Sequence, residues 1–303
     1  ALGLQVHAYM NTYPGWRGTT PPPLSASPAQ LWNAHPEWFC VNSSGNPMTL
    51  NSGYVVLSPG IPAVQEHLAA IYHEVVSSWD VDVIHFDYVR YYGSDYSWDP
   101  VSLARFAAEY PGATPATHPT EWAQWRRDQV TALVASVEEE THALRPTCEV
   151  TAATWASYSS GYSTYGQDSW GWLAAGLLDV SHPMNYTTSN ATHYTWTQQH
   201  IEHAADRFVS SGIGAHLMSD PAMLLVQIQN TRDLGTHGCT VFAYSSLFPS
   251  HAPNALADAL VTGPAAPFQF ADEPPPRLWL TTAGDDDNTG PRIFNVRTDP
   301  TPA

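Results

Sequence analysis

The sequence predicts an α/β protein whose parallel strands close into a barrel of the (β/α)8 kind. Three observations carry this. Strand-like and helix-like segments alternate seven times between Leu2 and Thr262, the pattern that builds a parallel sheet with helices packed over it. The strand-like runs carry polar or large residues near their C-terminal ends, at His7, Asp87, Trp155, Asn185, Met218 and Tyr244, as strands converging on one mouth would. No GxGxxG follows any strand, so the usual signature of a doubly wound sheet is absent.

Taken in order, Leu2–Asn11 alternates Val6, Ala8 and Met10 with Gln5, His7, Tyr9 and Asn11, a strand with one polar face. Thr12–Ser52 is rich in Pro, Gly, Asn and Ser and reads as a long loop; loops of such length in compact domains commonly carry function. Tyr54–Ser58 reads as a second strand, Ala63–Ser78 as an amphipathic helix, and Trp79–Tyr92 as a third strand with its loop. Helices follow near Val101–Tyr110 and Glu121–Leu144, the latter ending at Arg145-Pro146 because a residue before Pro avoids helical angles. Glu149–Trp155, Leu178–Tyr186, Ile213–Met218 and Cys239–Ser245 complete the strands, with helices at Trp170–Gly176, Thr197–Ser211, Pro221–Gly235 and Asn254–Thr262 between and after them. Seven strands are one short of eight, so the barrel is expected to lack its first strand at the N-terminus, that strand lying upstream or being supplied from elsewhere. The expected organisation is a barrel over 1–263, a Pro-rich linker over 264–276, and a β-type tail over 277–303. That tail either begins a β-sandwich module or completes the barrel.

Composition narrows the function. Of 303 residues, 28 are acidic and 11 basic, every base an Arg, for a net charge of −17. That balance argues against nucleic acid and anionic membranes as partners, since both need basic surfaces. No apolar run is long enough to span a bilayer, and residue 1 already begins a strand-like segment, so no leader peptide is expected within the sequence. Twelve Trp and fifteen Tyr suit either a packed core or a surface that stacks on sugar rings. Cys40, Cys148 and Cys239 are far apart without CxxC spacing and read as buried thiols, a single disulfide being the alternative.

Within WDVDVIHFDYVRYY (Trp79–Tyr92), Val83, His85 and Asp87 share one strand face and Ile84 and Phe86 the other. A strand buried on both faces would be continuously apolar; here one face turns polar toward its C-terminal end and finishes in a carboxylate, which makes Asp87 the candidate catalytic centre. The bland alternative is an ion pair with Arg90. His85 lies about 6.6 Å deeper on the same face, placed either to hydrogen-bond the carboxylate or to pack.

GLQVHAYMN, HPEWF, LSPGIPAVQEHL, WDVDVIHFDYVRY, WRRDQVTALVASV, WLAAGLLDVSHPMNY and LVQIQNTRDLGTHGCTVFAYSSL follow one another in an order that resembles the glycosyl-hydrolase-like family 10. This is a bacterial family of barrel proteins that includes enzymes cutting peptidoglycan glycan strands. The resemblance covers residues 2–248 or so. It implies a (β/α)8 barrel, hydrolysis of an O-glycosidic bond in a polysaccharide such as peptidoglycan stripped of its peptides, no cofactor, and a secreted or cell-envelope setting.

Glycoside hydrolysis ordinarily uses two carboxyl groups, one protonating the leaving oxygen. Asp87 is expected to be the nucleophile or stabiliser. Asp220, Asp95 and Glu37 are the candidates for the acid, in that order; Ser219-Asp220-Pro221 reads equally as a helix N-cap with Pro following. Expected substrate contacts are His7, Tyr9 and Asn11 on the first strand, His85 and Arg90 around Asp87, Trp155, Asn185 and Tyr186, and Tyr244 closing the last strand. Trp38 and Trp16 are further stacking candidates. Two other classes compete. A metal-dependent hydrolase would use some of fourteen His, with His7, His85, His182 and His216 on strands, yet neither HxH nor HExxH occurs. A non-catalytic carbohydrate-binding barrel is favoured if no acid partners Asp87.

Overall fold

The structure, a computed structural model, describes residues 5–262 and 266–267. The linker and tail expected over 264–303 therefore fall outside the described residues, 266–267 apart. The elements run β1 (His7–Asn11), β2 (Pro14–Gly18), α1 (Leu31–Ala34), β3 (Asn51–Val56), α2 (Pro62–Ser78), β4 (Val83–Asp87), α3 (Pro100–Glu109) and α4 (Pro119–Leu144). They continue with β5 (Glu149–Thr154), α5 (Tyr158–Thr164), α6 (Ser169–Ala174), β6 (Val180–Pro183) and α7 (Asn190–Glu202). The last are β7 (Phe208–Gly214), α8 (Pro221–Asp233), β8 (Gly238–Phe242), α9 (Tyr244–Leu247) and α10 (Ala255–Val261).

Six strands form one parallel sheet in the order β1-β4-β5-β6-β7-β8. Sequence order equals spatial order, so each helical crossover returns the chain one place along. The sheet curls. β1 and β6 are three strands apart, about 14 Å in a flat sheet, yet the rings of His7 and His182 are 6.4 Å apart, centre to centre.

Two expectations are corrected. The segment read as a second barrel strand, Tyr54–Ser58, does not join the parallel sheet; β3 pairs antiparallel with β2, inside the stretch read as loop. Pro14 and the glycines hid β2 from strand propensity, and its partner lies more than thirty residues on, beyond any local hairpin signal. Among the described residues the parallel sheet thus has six strands where seven were predicted. The strand placed at Ile213–Met218 lies earlier, as Phe208–Gly214, because Ser210-Ser211-Gly212 looks like loop. Small residues are required there. A Cβ on Gly212 would stand 2.5 Å from the Pro183 carbonyl oxygen of β6.

The core lies between the sheet's outer face and α2 and α4. Ile84 and Phe86 of β4 and Val150 and Ala152 of β5 point outward onto Val64, Leu68, Tyr72 and Val76 of α2 and Val130, Leu133, Val134 and Val137 of α4. The helical residues recur at spacings of three and four, one stripe of each helix. This outward packing leaves the alternate residues of β4, Val83, His85 and Asp87, for the concave face. Helix α4 starts on Pro119 and stops at Arg145 as its sequence demands. The three cysteines are free thiols, with Cys40 and Cys148 buried. Among the described residues no helix is long and apolar enough to cross a membrane.

Candidate active site

Asp87 ends β4 on the concave face, 7% exposed. Its Oδ2 accepts a short hydrogen bond from the Tyr9 hydroxyl. Its Oδ1 accepts from the Tyr88 backbone N–H at 2.6 Å and from Arg90 Nη1 at 3.4 Å. Parallel register explains the first contact: β1 and β4 pair Tyr9 with His85 and Asn11 with Asp87, so Tyr9 leans one step along its neighbour. The other two follow from a sharp break in the chain, where Tyr88 takes a left-handed φ of 50°. That turn aims the Tyr88 N–H back at the carboxylate and returns Arg90 over it. The guanidinium lies over the Tyr88 ring at 4.4 Å and over the Trp155 ring at 5.2 Å. Asp87 therefore does pair with Arg90, as one sequence reading had it, and it does so on the concave face at the C-terminal end of β4.

Beneath Asp87, His7, His85 and His182 meet with ring centres 5.1–6.4 Å apart. His85 Nδ1 bonds the Thr151 hydroxyl at 2.8 Å, and His182 Nδ1 bonds the Thr240 hydroxyl at 2.8 Å. Burial, with neighbouring imidazoles adding to it, lowers the pKa of His85 to about 4 and of His182 to about 3. Burial lowers that of His7 also. The floor of the site at neutral pH is thus a set of neutral imidazoles, which offer hydrogen bonds without adding charge. His216 is outside this cluster of three, exposed and bonded to the Phe242 carbonyl. Among the described residues no group of three His, Cys, Asp or Glu is arranged to hold a metal ion.

Tyrosines wall the carboxylate. Tyr9, 54% exposed, has its hydroxyl pKa pushed up by burial and by the Asp87 bond. Tyr186 is pushed up to about 12 by burial and by Asp87, Arg90 opposing; its ring stacks on Phe242 at 5.4 Å and meets His216 edge-on. Both phenols stay protonated donors at neutral pH. Trp155 packs on Tyr165 at 4.1 Å. Tyr244 stands open to solvent beyond β8, its ring stacked on Phe248 at 4.7 Å, and Asn11 is exposed at the tip of β1.

Other predicted residues take local roles. Asn185 is fully buried, its amide donating to Thr197 and Ser211 at 3.2 and 3.1 Å, so its nitrogen is occupied between β6, α7 and β7. Asp220 caps α8, accepting from the Ala222 N–H at 2.9 Å. Asp95 accepts from the Ser43 N–H at 3.2 Å, and Glu37 pairs with His35 at 3.3 Å. All three acids are exposed: Asp95 follows β4, Asp220 follows β7, and Glu37 sits in a 3-10 turn, Pro36–Trp38, between β2 and β3. Trp38 stacks on His35 at 4.0 Å, and Trp16 packs on the core. Sequence reasoning missed Tyr88 and undervalued His182. The signal for Tyr88 was its place between a strand-end acid and an Arg two residues on; His182 stood on an inward-facing strand position.

The profile of the family described as glycosyl hydrolase-like 10 matches residues 4–218, most of the chain. The protein belongs to the glycosyl hydrolase-like 10 family. Glycosyl hydrolase DigH from Escherichia coli K12 is 29% identical over 205 residues, which cover 61% of this chain and 43% of that protein; the homologous DigH of strain CFT073 matches to the same extent. The chain thus spans less than half the length of these relatives. In three dimensions it is similar to the PgaB (BpsB) glycoside hydrolase domain of Bordetella bronchiseptica, with TM-score 0.56, 14% identity, and coverage of 80% of this chain and 72% of that one. It is also similar to the catalytic domain of a β-amylase from Paenibacillus polymyxa, with TM-score 0.57, 12% identity, and coverage of 85% and 81%. At such identities these likenesses speak to fold: the curled parallel sheet with its helices is that of glycoside hydrolase barrels. Membership of this family supports a glycosidase type of function and a carbohydrate substrate.

Proposed function

We propose that this glycosyl hydrolase-like 10 protein hydrolyses O-glycosidic bonds of a polysaccharide, with Asp87 as the central carboxylate. The observation that carries the reading is the convergence of Tyr9, the Tyr88 N–H and Arg90 on that one group, at the C-terminal end of a parallel strand, over a polar concave floor. Donors that fix both oxygens hold a carboxylate in a single orientation, which is what a nucleophile or an oxocarbenium-stabilising group requires. The six strands are read as part of an eight-stranded barrel. The proton donor is sought among these three exposed acids, Asp220 first. It follows His216 by four residues, and the His216 ring meets Tyr186 beside Asp87. Asp95 and Glu37 come next. The substrate is an amino-sugar glycan such as denuded peptidoglycan, and the setting the cell envelope or beyond; both rest on the family.

The test is digestion of denuded glycan strands by the wild type, Asp87→Asn, and Ala variants of the three acids. Oligosaccharide release that Asp87→Asn abolishes supports the reading. The acid is the residue whose Ala variant loses cleavage of natural strands but keeps it on aryl glycosides, whose leaving group needs no proton. Strands left intact by the wild type would reject the substrate. One observation favours a second reading, a carbohydrate-binding barrel without catalysis: among the described residues no carboxylate is bonded to the groups around Asp87. Glycan binding retained by a wild type that cuts nothing would establish it.

A further inference from the structure

We propose that Arg17 is a specificity-determining residue that selects sugar chains bearing carboxylate groups, by pairing with one such group at the rim of the site. The inference rests on the reading of Asp87 as the point of glycan cleavage and adds the chemical class of the glycan.

Charge is the first argument. Eight of the chain's Arg fall among the described residues, and seven are engaged. Arg90 and Arg207 pair with Asp87 and Asp179, and Arg145 with Asp80. Arg105, Arg126, Arg127 and Arg232 donate to carbonyl or amide oxygens. Arg17 is exposed, and among the described residues no hydrogen bond or ion pair engages it. In a protein with 28 acidic and 11 basic residues, it is the one described guanidinium that neither a carboxylate nor another oxygen of the chain engages.

Position is the second. The β2–β3 hairpin is tied to the site at its base, where the Thr12 N–H donates to the Asp87 carbonyl at 2.8 Å and the Leu57 N–H to the Tyr13 carbonyl at 2.8 Å. Along the hairpin, Arg17 is paired in register with Tyr54 and its guanidinium lies over that ring at 5.3 Å. Tyr54 meets Tyr88 at 5.0 Å, and Tyr88 adjoins Asp87. A row of Arg17, Tyr54, Tyr88 and Arg90 therefore leads from the carboxylate to solvent. Aromatic rings give a sugar chain apolar surface to lie on, and the cation at the outer end waits for an anion.

Physical necessity is the third. A net charge of −17 repels an anionic polymer at a distance; a local guanidinium fork, matched in shape to a carboxylate, offsets that where the chain docks. A neutral glycan would have no use for it.

The experiment measures binding by the non-cleaving Asp87→Asn protein with and without Arg17→Gln, and cleavage by Arg17→Gln alone. The probes are denuded peptidoglycan strands, whose carboxylates hang on lactyl ethers, hyaluronan oligosaccharides, whose carboxylates are on the ring, and both after reduction of the carboxyls to alcohols. Loss of Arg17 should weaken binding of carboxylated strands about fivefold, the scale of one exposed charge pair, leave reduced strands unaffected, and be partly reversed by Arg17→Lys. The strand type that loses affinity identifies which carboxylate is read. Equal effects on carboxylated and reduced strands, no effect on either, or no binding to any carboxylated strand would overturn the inference. Failure of the wild type to cleave any of them would instead remove the glycosidase reading, while the binding comparison still decides the role of Arg17.

Discussion

Replacing Asp87 by Asn separates what this residue does for the fold from what it does for chemistry. The side chains of Arg90 and Asp87 are 8% and 10% exposed, with Nη1 and Oδ1 3.4 Å apart. At an effective dielectric constant near 20, two unit charges at that spacing attract by about 5 kcal/mol. Asn keeps the shape and returns part of this through neutral hydrogen bonds, while the Tyr88 and Trp155 rings continue to hold the cation. A net loss of about 3 kcal/mol follows, the lower end for a buried pair deprived of one partner. For a domain of this size that lowers Tm by roughly 6–12 °C. The second variant is Asp87→Asn with Arg90→Met, which removes the stranded charge and should recover at least half of the loss, since replacing a whole buried pair by apolar groups is close to neutral. Thermal and urea melts read the stability, and glycan release read at a temperature where both variants are folded reads the chemistry. An Asn variant within about 0.5 kcal/mol of wild type, a figure below the cost of any uncompensated buried charge, would refute the reasoning. So would a double variant no more stable than the single one.

Three further outcomes are expected. His142 bonds Asp179 and Glu138 at 3.4 and 2.8 Å; burial opposes its charge but the two carboxylates prevail, raising its pKa from 6.5 to about 9. The folded state therefore holds the proton more tightly than the unfolded chain, so this contribution, about 3 kcal/mol by linkage, is complete below pH 6.5 and disappears as pH rises through 9; urea melts across that window should show the decline in wild type and not in His142→Gln. Asp220→Ala removes the cap of α8 and should cost about 1 kcal/mol, measured by thermal unfolding. Gly212→Ala drives a Cβ to 2.5 Å from the Pro183 carbonyl oxygen and should cost about 1–3 kcal/mol as overpacking; a melt unchanged from wild type would mean that β6 and β7 can move apart.

Much of this molecule was written in local pattern. The spacing of Val64, Leu68, Tyr72 and Val76 forms the buried stripe of α2, and Pro119 and Arg145-Pro146 bracket α4. The alternation in Val83–Asp87 sends Ile84 and Phe86 to the core and leaves Asp87 on the concave face, because successive strand side chains face opposite ways. Those signals are carried by residues a few positions apart, so one chain suffices to read them. What joined Asp87 to Tyr9, 78 residues away, was register between strands. What brought His7 beside His182 was curvature of the sheet, and what moved Tyr54 out of the sheet and onto the rim with Arg17 was pairing with Pro14–Gly18. Pairing, register and curvature are set by packing between segments distant in the chain, and no periodicity within one segment encodes them. The sequence by itself determined which residues would face inward; only the tertiary structure decided which of them meet.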